Sequence, residues 1–144
     1  MSDDSDSNVL SGYDSSQIEM MEELCILVDS KDNVIGSASK VDCHRGEGLR
    51  HRAFSVLIFD ENNRLLVQKR AAEKITFPNV WANTCCSHPL DITGENGDPV
   101  GGVTNAAIRK LEQELGIPAE ESSSWEYNHL GKFEYSCRWD SEWI

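Results

Sequence analysis

The run Asn83-Thr84-Cys85-Cys86-Ser87-His88-Pro89-Leu90 sets a thiol two residues from an imidazole, just ahead of a helix-breaking proline. In an extended strand side chains alternate between faces, so Cys86 and His88 share one face and Cys85 and Ser87 the other. A thiol can donate a proton or attack an electrophile, and an imidazole can ligate a metal. A cysteine-protease pair does not fit, because there the nucleophile and its base come from distant segments rather than one strand.

Two other groupings carry chemistry. His44 and His51 bracket a loop containing Gly46 and Gly48. With His88 they make three imidazoles that, if convergent, suit zinc, manganese or iron. The second grouping is basic: Lys40 ahead of His44, Lys69-Arg70, Lys74 four residues on, and Arg109-Lys110. Arginine offers a planar fork and lysine a point charge, so Arg70 with Lys74 makes a diphosphate clamp.

The elements that must position these residues follow from pattern. Residues 1–22 are acidic and Ser-rich, and read as a disordered tail; 23–144 read as one folded domain. Leu24 to Val28 and Val34 to Ala38 flank Asp29-Ser30-Lys31-Asp32-Asn33 as a hairpin. Ala53 to Phe59 is the strongest strand, turning at Asp60-Glu61-Asn62-Asn63 into Leu65 to Lys69, and Val80 to Cys86 is a third. Asp91 to Gly102 reads as a loop. Ala107, Leu111 and Leu115 mark a helix over 104–115, stopped by Gly116 and Pro118, and Asn128 to Cys137 reads as a last strand. Strands, a helix and a strand predict an α/β (α+β) fold in which a mixed sheet carries flanking helices.

Bulk properties narrow the function. The 144 residues carry 25 acidic against 13 basic side chains, a formal net charge of −12. That argues against nucleic acid or an anionic membrane as partner, but a local cationic cluster can still hold a small anion. No apolar run reaches membrane-spanning length, and neither a signal core nor an arginine-rich transit segment is present. Cysteines at 25, 43, 85, 86 and 137 form an odd set without a CxxC pair, which fits reduced thiols in the cytoplasm rather than a disulfide framework.

Residues 109–117, Arg-Lys-Leu-Glu-Gln-Glu-Leu-Gly-Ile, resemble the C-terminal half of the Nudix box. Arg109, Leu111, Glu114, Gly116 and Ile117 match, Lys110 and Gln113 replace carboxylates, and the upstream glutamate falls at Gly101. Hydrolysis of a nucleoside diphosphate linkage needs several carboxylates around Mg²⁺, so the scaffold signal survives without most of the hydrolytic chemistry.

His51-Arg52-Ala53-Phe54-Ser55, Leu65 to Arg70, Lys74-Ile75-Thr76-Phe77-Pro78 and Asn83 to Leu90 together resemble type 1 isopentenyl-diphosphate delta-isomerases, Nudix-fold enzymes of isoprenoid biosynthesis. The resemblance runs from Leu24 to the end, with the Nudix core from about 49. It implies that Cys86 is a catalytic acid or base, and that Lys40, Arg70, Lys74, Ser87 and Lys110 contact the substrate diphosphate. It implies a divalent metal (Zn²⁺, Mn²⁺ or Mg²⁺) on His44, His51 and His88, and Mg²⁺ near the diphosphate on Glu114. The expected partner is a small allylic or homoallylic diphosphate, and the expected state a cytoplasmic monomer. The family's second catalytic group is a glutamate in a Glu-any-Glu pair that also completes the metal site. Glu142 is the only glutamate in the stretch 139–144 and does not match it, so a C-terminally truncated domain with impaired turnover is expected. The alternatives are a non-catalytic diphosphate-binding module and a Nudix diphosphohydrolase.

Overall fold

The computed structural model describes residues 9–144. The first eight residues of the expected tail lie outside the described residues. The rest of that tail departs from expectation: Ser15–Met21 is a helix, α1, with Asp14 as its N-cap and Met21 buried. Ile18 and Met21, one turn apart, give it an apolar edge within an acidic stretch.

β1 (Leu24–Val28) and β2 (Val34–Ser39) form the expected antiparallel hairpin, in register from Leu24 opposite Ser39 to Leu27 opposite Gly36. The Asp29 carboxylate accepts the Lys31 and Asn33 amides at 2.8 and 2.9 Å, which closes the turn. The other edge of β1 makes isolated bridges, Cys25 to Leu90 and Leu27 to His51. One buried strand therefore fixes three separate chain segments. α2 (Lys40–His44) follows β2 directly, capped by Ser39, whose hydroxyl accepts the Asp42 amide at 3.1 Å.

β3 (Phe54–Val56) pairs antiparallel with β6 (Cys85–Ser87), and β4 (Gln68–Lys69) with β5 (Trp81–Ala82). These ladders are shorter than the sequence pattern suggests. The predicted strand over 80–86 divides because Thr84, fully buried, enters between its neighbours. Its hydroxyl donates to the Leu66 carbonyl at 2.5 Å and accepts the Ile58 amide at 3.0 Å. A side chain then occupies hydrogen-bonding groups that a continuous ladder would use.

α3 (Pro99–Leu115) begins five residues before the periodic pattern. Asp98 caps it, Pro99 occupies the first turn, and Gly116 at φ +68° ends it. Its Ala106, Ala107 and Leu111 pack on Phe54 and Cys85, forming the larger core cluster; α4 (Ala119–Ser122) follows. A second cluster gathers Leu10, Met21, Val41, Ile75 and Trp143. Residues 128–137, expected as a strand, form none and are exposed. No other strand among the described residues pairs with them, and salt bridges from Glu134 to Arg50 and from Lys132 to Asp32 tie them down instead. The α/β class expected from the sequence is the one the chain adopts.

Candidate functional site

The three histidines converge. Ring centroids lie 4.6 Å apart for His44 and His51, 5.0 Å for His44 and His88, and 4.9 Å for His51 and His88. One nitrogen from each falls within 4.8 Å of the others. Lys40 and Leu49 carbonyls lie 2.8 and 2.6 Å from the Nδ1 atoms of His44 and His51, leaving Nε2 of each ring for a ligand. The buried Nδ1 of His88 meets no hydrogen-bond partner. Burial pulls His44 down to about 4 and His88 well below its ordinary value, the latter helped by the Lys40 charge. Neutral imidazole is the form that binds metal, so this donor set fits a divalent ion.

Beside the histidines lies an open cleft. Lys40, His44, Arg70, Lys74, Cys86, Ser87, His88, Lys110 and Glu114 all line it. The cleft thus gathers the predicted substrate, acid and metal residues apart from His51, which joins His44 and His88 in the imidazole cluster, while Lys69 and Arg109 of the basic grouping lie outside it. Lys40 and His44, four residues apart on α2, face the same way, and so do Lys110 and Glu114 on α3. Ser87 shares the cleft with Cys86 and His88, so strict alternation along β6 does not sort these three.

The charges explain what the cleft suits. Burial lowers Lys40, with Glu23 opposing and Lys110 and Lys74 reinforcing; burial also lowers Lys74, with Glu114 opposing and Lys110 and Arg70 reinforcing. Lys110, only 2% exposed, lies 3.4 Å from Glu114 and donates to Gln113 at 2.8 Å. Cations held close and out of water are relieved by an anion. Arg70 departs from a pure clamp: its Nε and Nη2 donate to the Phe77 and Thr76 carbonyls at 3.0 and 2.9 Å. That bracing holds Phe77 at φ +50°, a conformation uncommon for a large side chain, and leaves the rest of the fork for a ligand.

Cys86 Sγ lies 3.4 Å from the Ser55 hydroxyl on the paired strand. Cys85 faces the core, and its thiol approaches Glu114 at 3.7 Å. Burial and the adjacent carboxylate push Cys85 up to about 12. Gln68, which the sequence reading passed over, donates to Glu114 at 3.1 Å and to the Thr84 carbonyl at 3.0 Å. Gln17, Met20 and Met21 of α1 also line the cleft. An Asp cap followed by apolar residues one turn apart was the signal that could have found them. Trp81 is 68% exposed and lies outside both core clusters and the cleft.

A protein-family model, the NUDIX domain, matches residues 49–144. The chain belongs to the Nudix family. This Nudix chain is 51% identical over 146 residues to the isopentenyl-diphosphate delta-isomerase of Aspergillus fumigatus, an alignment covering 96% of this chain and 52% of that protein. It is 50% identical over 139 residues to the isopentenyl-diphosphate delta-isomerase of Schizosaccharomyces pombe, covering 91% and 61%. With isopentenyl-diphosphate delta-isomerase 1 of Bos taurus it shares 48% identity over 136 residues, covering 90% and 60%. The chain spans between about half and three fifths of the length of these curated relatives. Among the described residues no helix is long and apolar enough to cross a membrane.

Proposed function

We propose that this chain carries the diphosphate-binding and proton-donating part of an isopentenyl-diphosphate delta-isomerase, interconverting isopentenyl and dimethylallyl diphosphate in isoprenoid biosynthesis. The carrying observation is the convergence of a half-buried thiol, Cys86, with Lys40, Arg70, Lys74, Lys110 and Glu114 in one cleft. The cations and the Ser87 hydroxyl hold the diphosphate, and the alkene lies against Cys86. A carbon–carbon double bond is a feeble base, so the thiol must be positioned closely and water kept from the cation that forms. The Cys86 thiol protonates the terminal carbon and becomes a thiolate, and transfer of a proton from the carbon two bonds away to a second base completes the shift. Glu114 would hold Mg²⁺ and His44, His51 and His88 a second divalent ion, Zn²⁺, Mn²⁺ or Mg²⁺; bound there they supply charge neutralisation.

Glu114 is the only carboxylate among the described residues lining the cleft, and the Mg²⁺ role takes it. The second proton-transfer group therefore has no candidate there, which supports slow turnover by this chain. Reduced thiols support a cytoplasmic setting, and we take the working form as a monomer. A Nudix hydrolase is disfavoured because Gly101 and the buried Lys110 stand where carboxylates would hold metal.

Incubation with isopentenyl diphosphate and Mg²⁺ in D₂O, followed by NMR, tests the reading. Expected are metal-dependent binding, conversion far slower than by the Aspergillus fumigatus relative, and loss of all deuterium incorporation in Cys86→Ala. Absence of binding, or phosphate release in place of isomerisation, would overturn the assignment; conversion at the relative's rate would overturn the impairment.

A further inference from the structure

The three imidazoles are not held alike. His44 and His51 each have a backbone carbonyl at Nδ1, whereas the ring of His88 has none and its buried Nδ1 is orphaned. Beyond its contacts with the other two rings, its placement depends on the backbone around it. That backbone is fastened to α3 by a buried ion pair. Glu95, 5% exposed, accepts Arg109 Nε at 2.6 Å and Nη2 at 2.9 Å, and also the Leu90 amide at 2.8 Å. Arg109 Nη2 in turn donates to the His88 carbonyl at 3.3 Å. The chain on both sides of Pro89 is thus tied to one guanidinium–carboxylate pair.

Two features press this loop against α3. A side chain at Gly102 would place its Cβ 2.2 Å from the Glu95 carbonyl oxygen, so only glycine permits the approach. Asn105 donates to the Gly94 carbonyl at 2.7 Å, one residue before Glu95. On the far side, Leu90 bridges to Cys25 of β1. His88 therefore sits in a strap stretched between β1 and α3, with the ion pair as its buckle.

We propose that Glu95 and Arg109 are positioning residues for His88, setting the third imidazole of the metal site; this rests on the histidine cluster being a metal site. Only a planar fork can meet both Glu95 oxygens and still reach the His88 carbonyl, so lysine cannot replace Arg109. Groups that bond a ligating ring directly are worth roughly ten- to a hundredfold in metal affinity, and here the backbone strap takes the place of such a bond.

The test uses Arg109→Lys and Glu95→Gln, with Leu111→Val as a variant that weakens the same helix without touching the strap. Co²⁺ binding is followed by its visible absorption, and the His88 ring by NMR in metal-free protein. Expected are a tenfold or greater loss of Co²⁺ affinity with an altered band in both strap variants, a broadened or doubled His88 signal, and wild-type behaviour in Leu111→Val. Wild-type affinity and a single unshifted His88 signal in Arg109→Lys and Glu95→Gln would overturn the positioning role, as would equal losses in Leu111→Val. Should wild-type protein take up no Co²⁺ while Arg109→Lys disorders the His88 ring, the metal reading falls and the positioning role stands.

Discussion

At the scale of single residues, the histidine cluster gives the protein an acid sensitivity with a definite sign. His44 titrates near 4 in the folded chain because burial disfavours its charged form, against about 6.5 when exposed. Between those values the unfolded chain binds the extra proton, so stability is full above about 6.5 and is lost as pH falls toward 4. His88 acts in the same direction. In His51 burial also pulls downward but is outweighed by Cys43 and the Leu49 carbonyl, so its smaller contribution runs the other way. Most hydrogen-bonded aspartates are held below their ordinary 3.8 and act only at lower pH. Urea unfolding of chelator-treated protein should therefore show a lower midpoint at pH 5 than at pH 7, and His44→Gln should shrink the difference. An equal or higher midpoint at pH 5 would contradict this. The chemistry of these residues was legible in the sequence because type and spacing alone select them. The bracing of Arg70 by the Thr76 and Phe77 carbonyls was not, since it depends on a left-handed backbone at a residue that rarely adopts one.

At the scale of elements, α3 is the plate on which the cleft is mounted. Its inner face buries Ala106, Ala107 and Leu111 against Phe54 and Cys85 while Lys110 and Glu114 line the cleft. Leu111→Ala should cost about 2–5 kcal/mol, as a large-to-small change at a fully buried position. Asp98→Ala should cost about 1 kcal/mol through loss of the cap to the Gly101 amide. Denaturant titration checks both, and a smaller loss for Leu111→Ala than for Asp98→Ala would refute the ranking. The helix end was readable from Gly116, but its beginning was not. Asp98-Pro99-Val100-Gly101-Gly102 has loop composition, and only the docking of Gly102 on Glu95 explains a glycine inside a helix. The β1–β2 hairpin was legible because its turn chemistry is local. The other ladders are shorter than their patterns because Thr84 diverts hydrogen bonds from distant segments. Residues 128–137 have strand-like composition but no strand to pair with among the described residues, and a strand is defined by its partner.

At the scale of the whole molecule, a chain of net charge −12 concentrates Lys40, Arg70, Lys74 and Lys110 around one cleft. The surrounding acidity discourages large polyanions, while the cleft offers a small one charge-assisted hydrogen bonds. Inorganic diphosphate should accordingly raise the unfolding temperature, by an amount equivalent to about 2.7 kcal/mol at a hundred times its Kd. The effect should weaken with salt and disappear in a Lys40→Ala, Lys74→Ala double variant; persistence there would place the anion elsewhere. The second core cluster ties the last residues to this cleft: Trp143, 2% exposed, packs with Met21, Val41 and Ile75. Its backbone bridges to Arg45, and the Ile144 amide donates to the His44 carbonyl at 2.8 Å. Trp81 and Trp139 are water-exposed and Trp125 is half-buried on the other core cluster, so the bluest tryptophan emission comes from the indole seated on the helix that presents His44. The protein thereby contains its own optical gauge of what happens at the imidazole cluster, read without any added dye.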